Sequence, residues 1–508
     1  MSKTRLMARA AVVGLALAAA AGTGAARAET LADAIALAYQ SNPTLQGQRA
    51  QQRALDESYV QARAGYRPTL SASGSMGYQY AQQGLIDANT GAVALSASQP
   101  VYTGGRVSAA VSAAEAQVLA GREGLRAVEA QVLQAVIQAY QDVRRDQAIL
   151  GIREKNVEVL SNQLQQTQVR FEVGQVTRTD VAQAEAQLAA SRALLAGAQA
   201  QLQISRASYA TVVGQNPGDL ADGPPLPGLP ATVDQAFEAA DNANGALRRA
   251  RLSEVSSRAR IAQARAAGKP TAAISATLGY SGPISPFDTR DYGRNVTIQG
   301  VVTQPLFTGG LVQSGVRQAL EQNTADRVAI EGVRRQVVQA VSQSWNVMGS
   351  TRASMTANAE QVRAATVAFT GIQEQYQVGI STILDVLVAQ TTLRDAELAL
   401  AQSNHDYYVA QASLLSAMGR LEAGALVSGS PLYDASANFN QVKMAGAVPW
   451  EGLVQSFDAV GAPSPTAAVP PVPAPAAPTG AVTMIPAPTP PAKIDPSTTL
   501  PIGRAPGR

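Results

Sequence analysis

The sequence predicts a mainly α protein with a small β part, built as two tandem repeats. Three observations carry that prediction. First, VLQAVIQAY (132–140) returns as VVQAVSQSW (337–345), QPVYTGG (99–105) as QPLFTGG (304–310) and FEVGQVTRTDV (171–181) as YQVGISTILDV (376–386), each 205 residues later. QARAGYRP (61–68) returns as QARAAGKP (263–270) at an offset of 202, so a three-residue slip lies between these landmarks. Two copies of one unit point to a pseudosymmetric or ring-like assembly. Second, residues 104–170 and 309–375 are two proline-free stretches of 67 residues each. Third, two short segments of each copy change from a helical period to strict alternation.

The first element is a leader. Lys3, Arg5 and Arg9 precede an Ala/Leu/Val run, and Ala26-Arg27-Ala28 ends it as a small-x-small cleavage site. Residues 1–28 therefore read as a secretory signal peptide, with an uncleaved signal anchor as the alternative. No later stretch is apolar for the roughly 18 residues that a membrane helix needs.

Repeat 1 spans 29–213. Residues 30–41 and 43–65 read as helices, the first capped by Thr30 with Asp33 three residues on, the second opened by Asn42-Pro43. Pro68 ends the helical pattern. Strands follow at about 68–80 and 92–102. Leu70, Ala72, Met76, Tyr78 and Tyr80 share one face, and Ser71, Ser73, Ser75 and Gln79 the other. In the second strand Val93, Leu95 and Ala97 alternate with Ser96 and Ser98. A long helix over 104–170 keeps 3-and-4 spacing from Val107 to Leu164, with one displacement, which is a coiled-coil seam. At ~1.5 Å per residue it would be about 100 Å long. It ends at FEVGQVTRTD, where Gly174 suits a C-terminal stop and Thr177 with Asp180 can cap the return helix, 178–213.

A Pro-rich linker, 214–232, joins the copies. Repeat 2, 233–420, repeats the plan with strands at about 271–282 and 294–307, a long helix over 309–375 and a return helix over 383–420. A C-terminal segment, 421–460, carries mixed signals and reads as an equatorial segment of the helical body. The tail, 461–508, holds 14 of the 28 prolines and reads as disordered or polyproline-like.

Composition narrows the function. Without the four basic residues of the leader, 36 basic groups stand against 37 acidic ones, so no nucleic-acid partner is expected. Zero cysteines remove disulfides, thiolate metal sites, catalytic thiols and an acylated N-terminal cysteine. His405 is the one histidine, a poor metal or catalytic candidate that belongs on a surface or a helix seam. No phosphate loop or nucleophile motif is present, and no cofactor or metal is expected.

The alternating segments fit the ~9–11 residues of a tilted transmembrane strand. Small polar groups on one face and apolar groups on the other fit a water-filled lumen and a lipid exterior. The same pattern suits a soluble hairpin packed on helices, and the strands alone do not choose. If they are transmembrane, counting decides the assembly. Four strands per chain cannot close a barrel, and open edges cannot sit in lipid. Three chains give twelve strands and six helical hairpins, enough for a barrel continued by a hollow helical cylinder.

The junctions QPVYTGG and QPLFTGG, the tips FEVGQVTRTD and YQVGISTILD, and their order in two copies give the chain a likeness to a known family. Over roughly 29–425 it resembles the TolC family of outer-membrane export ducts. The resemblance implies a homotrimer with a twelve-stranded β-barrel in outer-membrane lipid and an α-helical tunnel through the periplasm. It implies partners: a periplasmic adaptor (membrane fusion) protein and an inner-membrane transporter of the ABC or RND class. The absent lipid-anchor cysteine points to the non-lipidated branch, which serves type I protein secretion and drug efflux. The competing reading is a periplasmic coiled-coil adaptor or scaffold. An enzyme is not expected.

The resemblance also assigns sites. Acidic side chains ring the aperture at the second hairpin, and Asp385 matches; Val388 stands where the family often has a second acid. Tyr376, Thr179 and Asp180 match latch positions. Ser381 replaces the latch cation, and Arg178 is a nearby cation that could substitute. A threefold ring of Asp385 carboxylates would attract cations, while Asp180 and Asp385 could equally serve as helix N-terminal acids. Adaptor hairpins would dock at Val173-Gly174 and Val378-Gly379. The strand–helix junctions are Pro100, Gly104 and Gly105 in one copy and Pro305, Gly309 and Gly310 in the other. Independently of the resemblance, Tyr66, Tyr78, Tyr80 and Tyr280 lie near strand ends and could be interfacial aromatics or, equally, ordinary strand residues.

Overall fold

Among the described residues every strand is antiparallel to its neighbour, and the two 67-residue helices follow the second and fourth strands from the same end of the sheet. The computed structural model describes residues 28–79, 88–285, 287–427 and 432–460. Residues 1–27, Tyr80 and the Pro-rich tail lie outside the described residues.

Copy one holds α1 (Leu31–Ser41), α2 (Pro43–Arg63), β1 (Thr69–Gln79), β2 (Ala88–Tyr102), α3 (Arg106–Glu172) and α4 (Arg178–Val213). Copy two holds α5 (Val233–Ala243), α6 (Gly245–Ala266), β3 (Thr271–Pro283), β4 (Gly293–Thr303), α7 (Leu311–Gln377) and α8 (Ile383–Ala417). Three short helices follow: α9 (Ala423–Leu426), α10 (Ala437–Val442) and α11 (Glu451–Ala459). Thr30 and Asp33 form a capping box on α1, and the Asn42 side chain accepts from the amides of Thr44 and Leu45 at the start of α2. The strand expected to reach residue 307 ends at Thr303, because Pro305 has no amide to continue the ladder.

The sheet order is β1-β2-β3-β4. The register aligns the two faces across all four strands. Ala72 faces Leu95, Leu95 faces Leu278, and Leu278 faces Val296. On the opposite face Ser71 pairs with Ser96, Ser96 with Thr277 and Thr277 with Thr297. Leu70, Met76, Tyr78, Val93, Ile274, Tyr280, Ile298 and Val302 are all exposed on the apolar face. A soluble hairpin would have buried that face against helices. Tyr66 departs from the expectation of an interfacial aromatic. It is buried with Val107 and Val454, and burial plus the nearby Asp458 carboxylate push its hydroxyl up to about 12.

The junctions are built alike in both copies. Gln99 Nε2 donates to the Tyr66 carbonyl at 2.9 Å, and Gln304 Nε2 to the Gly268 carbonyl at 3.2 Å. Gly105 (φ 80°) and Gly310 (φ 86°) start the long helices in the left-handed region, where a Cβ is strained. Pro100 lies at the β-bulge of β2, and Pro305 just beyond β4. Gly104 meets copy two so closely that a Cβ would lie 2.5 Å from Lys269 Cβ, whereas Gly309 has open space around it.

The main core lies midway along α3. Leu133, Val136, Ile137, Tyr140 and Val143 pack against Leu31 and Ile35 of α1, Tyr209 and Val213 of α4, and Leu415 of α8. The Tyr140 hydroxyl lies 2.9 Å from the Glu29 carbonyl and 2.7 Å from that of Ala221, and so clamps the chain entry to the linker. Tyr209 donates to Glu29 Oε1 at 2.6 Å.

His405 ties α8 to α3. Its Nε2 lies 2.9 Å from Asp142 Oδ1, at an angle too bent for a good hydrogen bond, and its Nδ1 lies 2.9 Å from Asp406 Oδ1. Arg145, which pairs with Asp142 and Asp146, completes the cluster. Burial lowers the imidazole pKa, but the Asp142 and Asp406 carboxylates more than offset it, so the net direction is up.

The C-terminal segment is not confined to the equator of the helices. It climbs along α2: Tyr433 N–H donates to Tyr39 Oη, Asn438 to Asp56, Phe439 stacks on Tyr59, and Glu451 pairs with Arg63 and Arg67. It ends at the foot of the sheet, where Asp458 Oδ1 accepts from the Thr103 amide at 2.6 Å and the Gly105 amide at 3.2 Å. Copy two has no equivalent strap among the described residues.

Two outcomes test these contacts. Tyr140→Phe should cost about 1–3 kcal/mol, because it strands a buried carbonyl; thermal unfolding in detergent reads it. His405 has a raised folded pKa, so its contribution is complete below its ordinary value and is lost as pH rises through the folded one. His405→Gln should therefore lower the melting temperature more at pH 5.5 than at pH 8.5.

Candidate functional site

Each hairpin tip is a helix stop followed by a helix start. At the first, the Gln175 amide donates to the Arg170 carbonyl at 2.8 Å and the Gly174 amide to that of Phe171 at 2.9 Å. At the second, Ile380 donates to Gln375 at 2.9 Å and Gly379 to Tyr376 at 3.2 Å. Both are Schellman stops, which need a left-handed residue after the last helical turn. Gly174 (φ 75°) and Gly379 (φ 81°) supply it. Val173, Val378 and Ile380 stand exposed beside them.

The return helices start with matching boxes. Asp180 Oδ2 accepts from the Thr177 amide and hydroxyl, both at 2.8 Å. Asp385 Oδ2 accepts from the Thr382 amide at 2.9 Å and hydroxyl at 2.7 Å. Asp385 is fully exposed, and these bonds hold its carboxyl below the usual range. Capping uses only Oδ2, so the acid can both cap the helix and present charge. Val388 lies exposed one turn later. The position that is basic in the family pattern is neutral here, and Ser381 donates to Gln375 Oε1 at 2.9 Å.

The two hairpins of the chain meet just behind the tips. Leu160 of α3, Leu188 of α4, Tyr376 of α7, and Ile383, Val386 and Leu387 of α8 form one buried cluster. A polar layer lies next to it: Asn156 Nδ2 donates to Ser191 Oγ at 2.7 Å, and Gln390 Nε2 to Asn156 Oδ1 at 3.1 Å. Tyr376 is brought into the site, but its hydroxyl is buried without a partner, and it makes no bond to Thr179 or Asp180. The guanidinium of Arg170 lies over its ring instead, 4.5 Å from the centroid. Arg178 is exposed. The cation in contact with Tyr376 is therefore Arg170, which the sequence reading missed. A signal existed: the position of Arg170 in the duplication is Gln375 in copy two, so only copy one carries charge there.

Comparison with known proteins places this architecture. The family described as outer membrane efflux protein matches residues 34–215 and 237–420, one match per repeat. The outer membrane efflux protein BepC of Brucella suis is 34% identical over 82% of this chain and 91% of its own length. The outer membrane protein TolC of Escherichia coli is 27% identical over 86% and 92%. The solved structure of the outer membrane protein VceC of Vibrio cholerae superposes with a TM-score of 0.65 at 22% identity, covering 77% of this chain and 96% of that one. That structural likeness speaks for the fold.

Arg170→Ala should loosen the tip by about 0.5–1 kcal/mol, the worth of a partly exposed cation–π pair. Faster amide exchange in α7 and α8 near Tyr376 would report it. Arg178→Ala should leave that exchange unchanged.

Proposed function

The chain belongs to the outer membrane efflux protein family, and from that premise we propose that three copies close one barrel and one tunnel. The protein is an outer-membrane channel of a tripartite export system, with its long helices in the periplasm. The family and its structural neighbours are channels rather than enzymes.

The observation that carries the trimer is the contrast between the two long helices. Twenty-three residues of α3 are buried within the chain but only five of α7, although the helices are the same length and occupy the same place in each repeat. Copy one packs α3 against α6 and α8 of copy two. By the same relation α7 takes α2 and α4 of the next copy, and Gly309 takes that copy's Arg67-Pro68, as Gly104 takes Lys269-Pro270. The edges of β1 and β4 close in the same step.

Within that assembly the tips form the periplasmic aperture. Asp385 supplies a ring of carboxylates, with Thr179, Asp180, Tyr376 and Ser381 behind it. The exposed Val173-Gly174 and Val378-Gly379 take the adaptor hairpins, and an inner-membrane ABC or RND transporter drives the cargo. Cargo is secreted protein, small toxic molecules or both. Arg178, at the first hairpin tip, is the cation that could stand in for the latch base replaced by Ser381. The adaptor or scaffold reading loses ground to the exposed apolar sheet face, for which such a protein has no use.

Two measurements test this. The protein should migrate as a trimer from outer-membrane fractions in detergent; a water-soluble monomer would end the proposal. Asp385→Asn should weaken divalent-cation block of the reconstituted pore about tenfold, as expected when a charged ring is removed; unchanged block would take Asp385 out of the aperture. Deleting the gene and scoring both protein secretion and drug sensitivity assigns the cargo.

A further inference from the structure

The C-terminal helix α11 has two unlike faces. Glu451, Val454 and Asp458 point inward and are buried. Both acids are held there by hydrogen bonds, and Glu451 by ion pairs as well. Glu451 accepts from Arg63 Nε at 2.9 Å and Arg67 Nε at 3.2 Å. Asp458 accepts from the backbone and hydroxyl of Thr103 and from the Gly105 amide. The outward face carries Trp450, Leu453, Phe457 and Val460, which are 46, 66, 61 and 68 % exposed. Their spacing puts them on one stripe of a helix. No charged residue of α11 faces outward, which is unusual for a helix washed by water.

The position of this stripe says what covers it. Trp450 Nε1 donates to Gln99 Oε1 at 3.0 Å, and Tyr102 Oη donates to the Val460 carbonyl at 3.1 Å. Gln99 continues the Val93, Leu95, Ala97 line of β2, which is the exposed apolar face of the sheet, and pairs with Ile274 of β3. The helix therefore sits directly below the apolar belt and on its side of the sheet. β2 is an inner strand, so α11 is set back from the open edges at β1 and β4 where the next copy would join. Among the described residues copy two has no strap at this level, but it exposes Leu306 and Phe307 there at 94 and 91 %.

We propose that α11 is an interfacial anchor, with its Trp450–Leu453–Phe457–Val460 face lying in the periplasmic leaflet of the outer membrane at the foot of the barrel. Amphipathic helices of this kind bury their apolar face about 5–10 Å into the headgroup boundary, and tryptophan favours that depth. The inward salt bridges and the Asp458 cap then link the leaflet directly to the strand–helix junction of copy one. This anchor rests on the barrel reading above.

The chain has no cysteine, so single introduced cysteines label cleanly. Nitroxides at Leu453→Cys and Phe457→Cys are compared with Ile298→Cys on the sheet face and Gln175→Cys at the exposed tip. The full-length protein is reconstituted in vesicles of phosphatidylethanolamine and phosphatidylglycerol, and collision rates with oxygen and with a neutral nickel chelate are measured. The expected oxygen-to-nickel ratio at 453 and 457 is several-fold above that at 175 and close to that at 298. A ratio equal to that at 175 would place the helix in water and overturn the anchor alone. Exclusion of both reagents with spin–spin broadening would put a neighbouring copy there and also overturn it. A water-like ratio at 298 would bring down the barrel and the anchor together.

Discussion

The unpaired backbone of β1 and β4 governs this molecule. A four-stranded antiparallel sheet leaves a row of amides and carbonyls open at each edge, and in hydrocarbon each unsatisfied group costs several kcal/mol. On the proposed barrel reading the sheet sits in hydrocarbon, since no helix among the described residues covers its apolar face. On that reading the edges pair with other strands, and the proposed trimer supplies them from identical chains. The bare wall of α7 answers the same constraint below the membrane, where a surface shaped like that of α3 waits for the helices that α3 already has.

Duplication supplies the repeated wall, and the differences between the copies supply the function. The junctions are near-identical, down to Gln99 and Gln304 each reaching the carbonyl at the end of the preceding helix. Only copy one receives the C-terminal strap, through Glu451 and Asp458. Copy one supplies the tip cation, Arg170, and copy two the ring beneath it, Tyr376, whose counterpart in copy one is Phe171. The tie between hairpins is thus made from one residue of each copy. Because the contact is a cation over a ring rather than an ion pair, it is less exposed to screening by salt.

Much of this was legible in the sequence, for physical reasons that can be named. Thr30–Asp33, Thr177–Asp180 and Thr382–Asp385 announce helix starts because the capping box is local, closed within four residues. The strand faces follow from alternation, and the long helices from the absence of proline. Helix ends were displaced by about two residues, because the Schellman stops at Gly174 and Gly379 let the helix run up to the glycine. What the sequence could not show are contacts across hundreds of residues. Arg63 and Arg67 look like ordinary surface charges until Glu451 arrives, and Asp458 looks like a helix acid until it caps Thr103. Tyr66 looked interfacial because its burial depends on Val454. Arg170 was passed over for a similar reason: its partner ring, Tyr376, is far away in sequence.

The account stands or falls on the edge strands. Amide hydrogen exchange of the full-length protein in lipid measures their pairing directly. Pairing between copies predicts that β1 and β4 amides are protected as strongly as those of β2 and β3. Exchange at β1 and β4 at the rate of an unpaired sheet edge, beside protected inner strands, would contradict it.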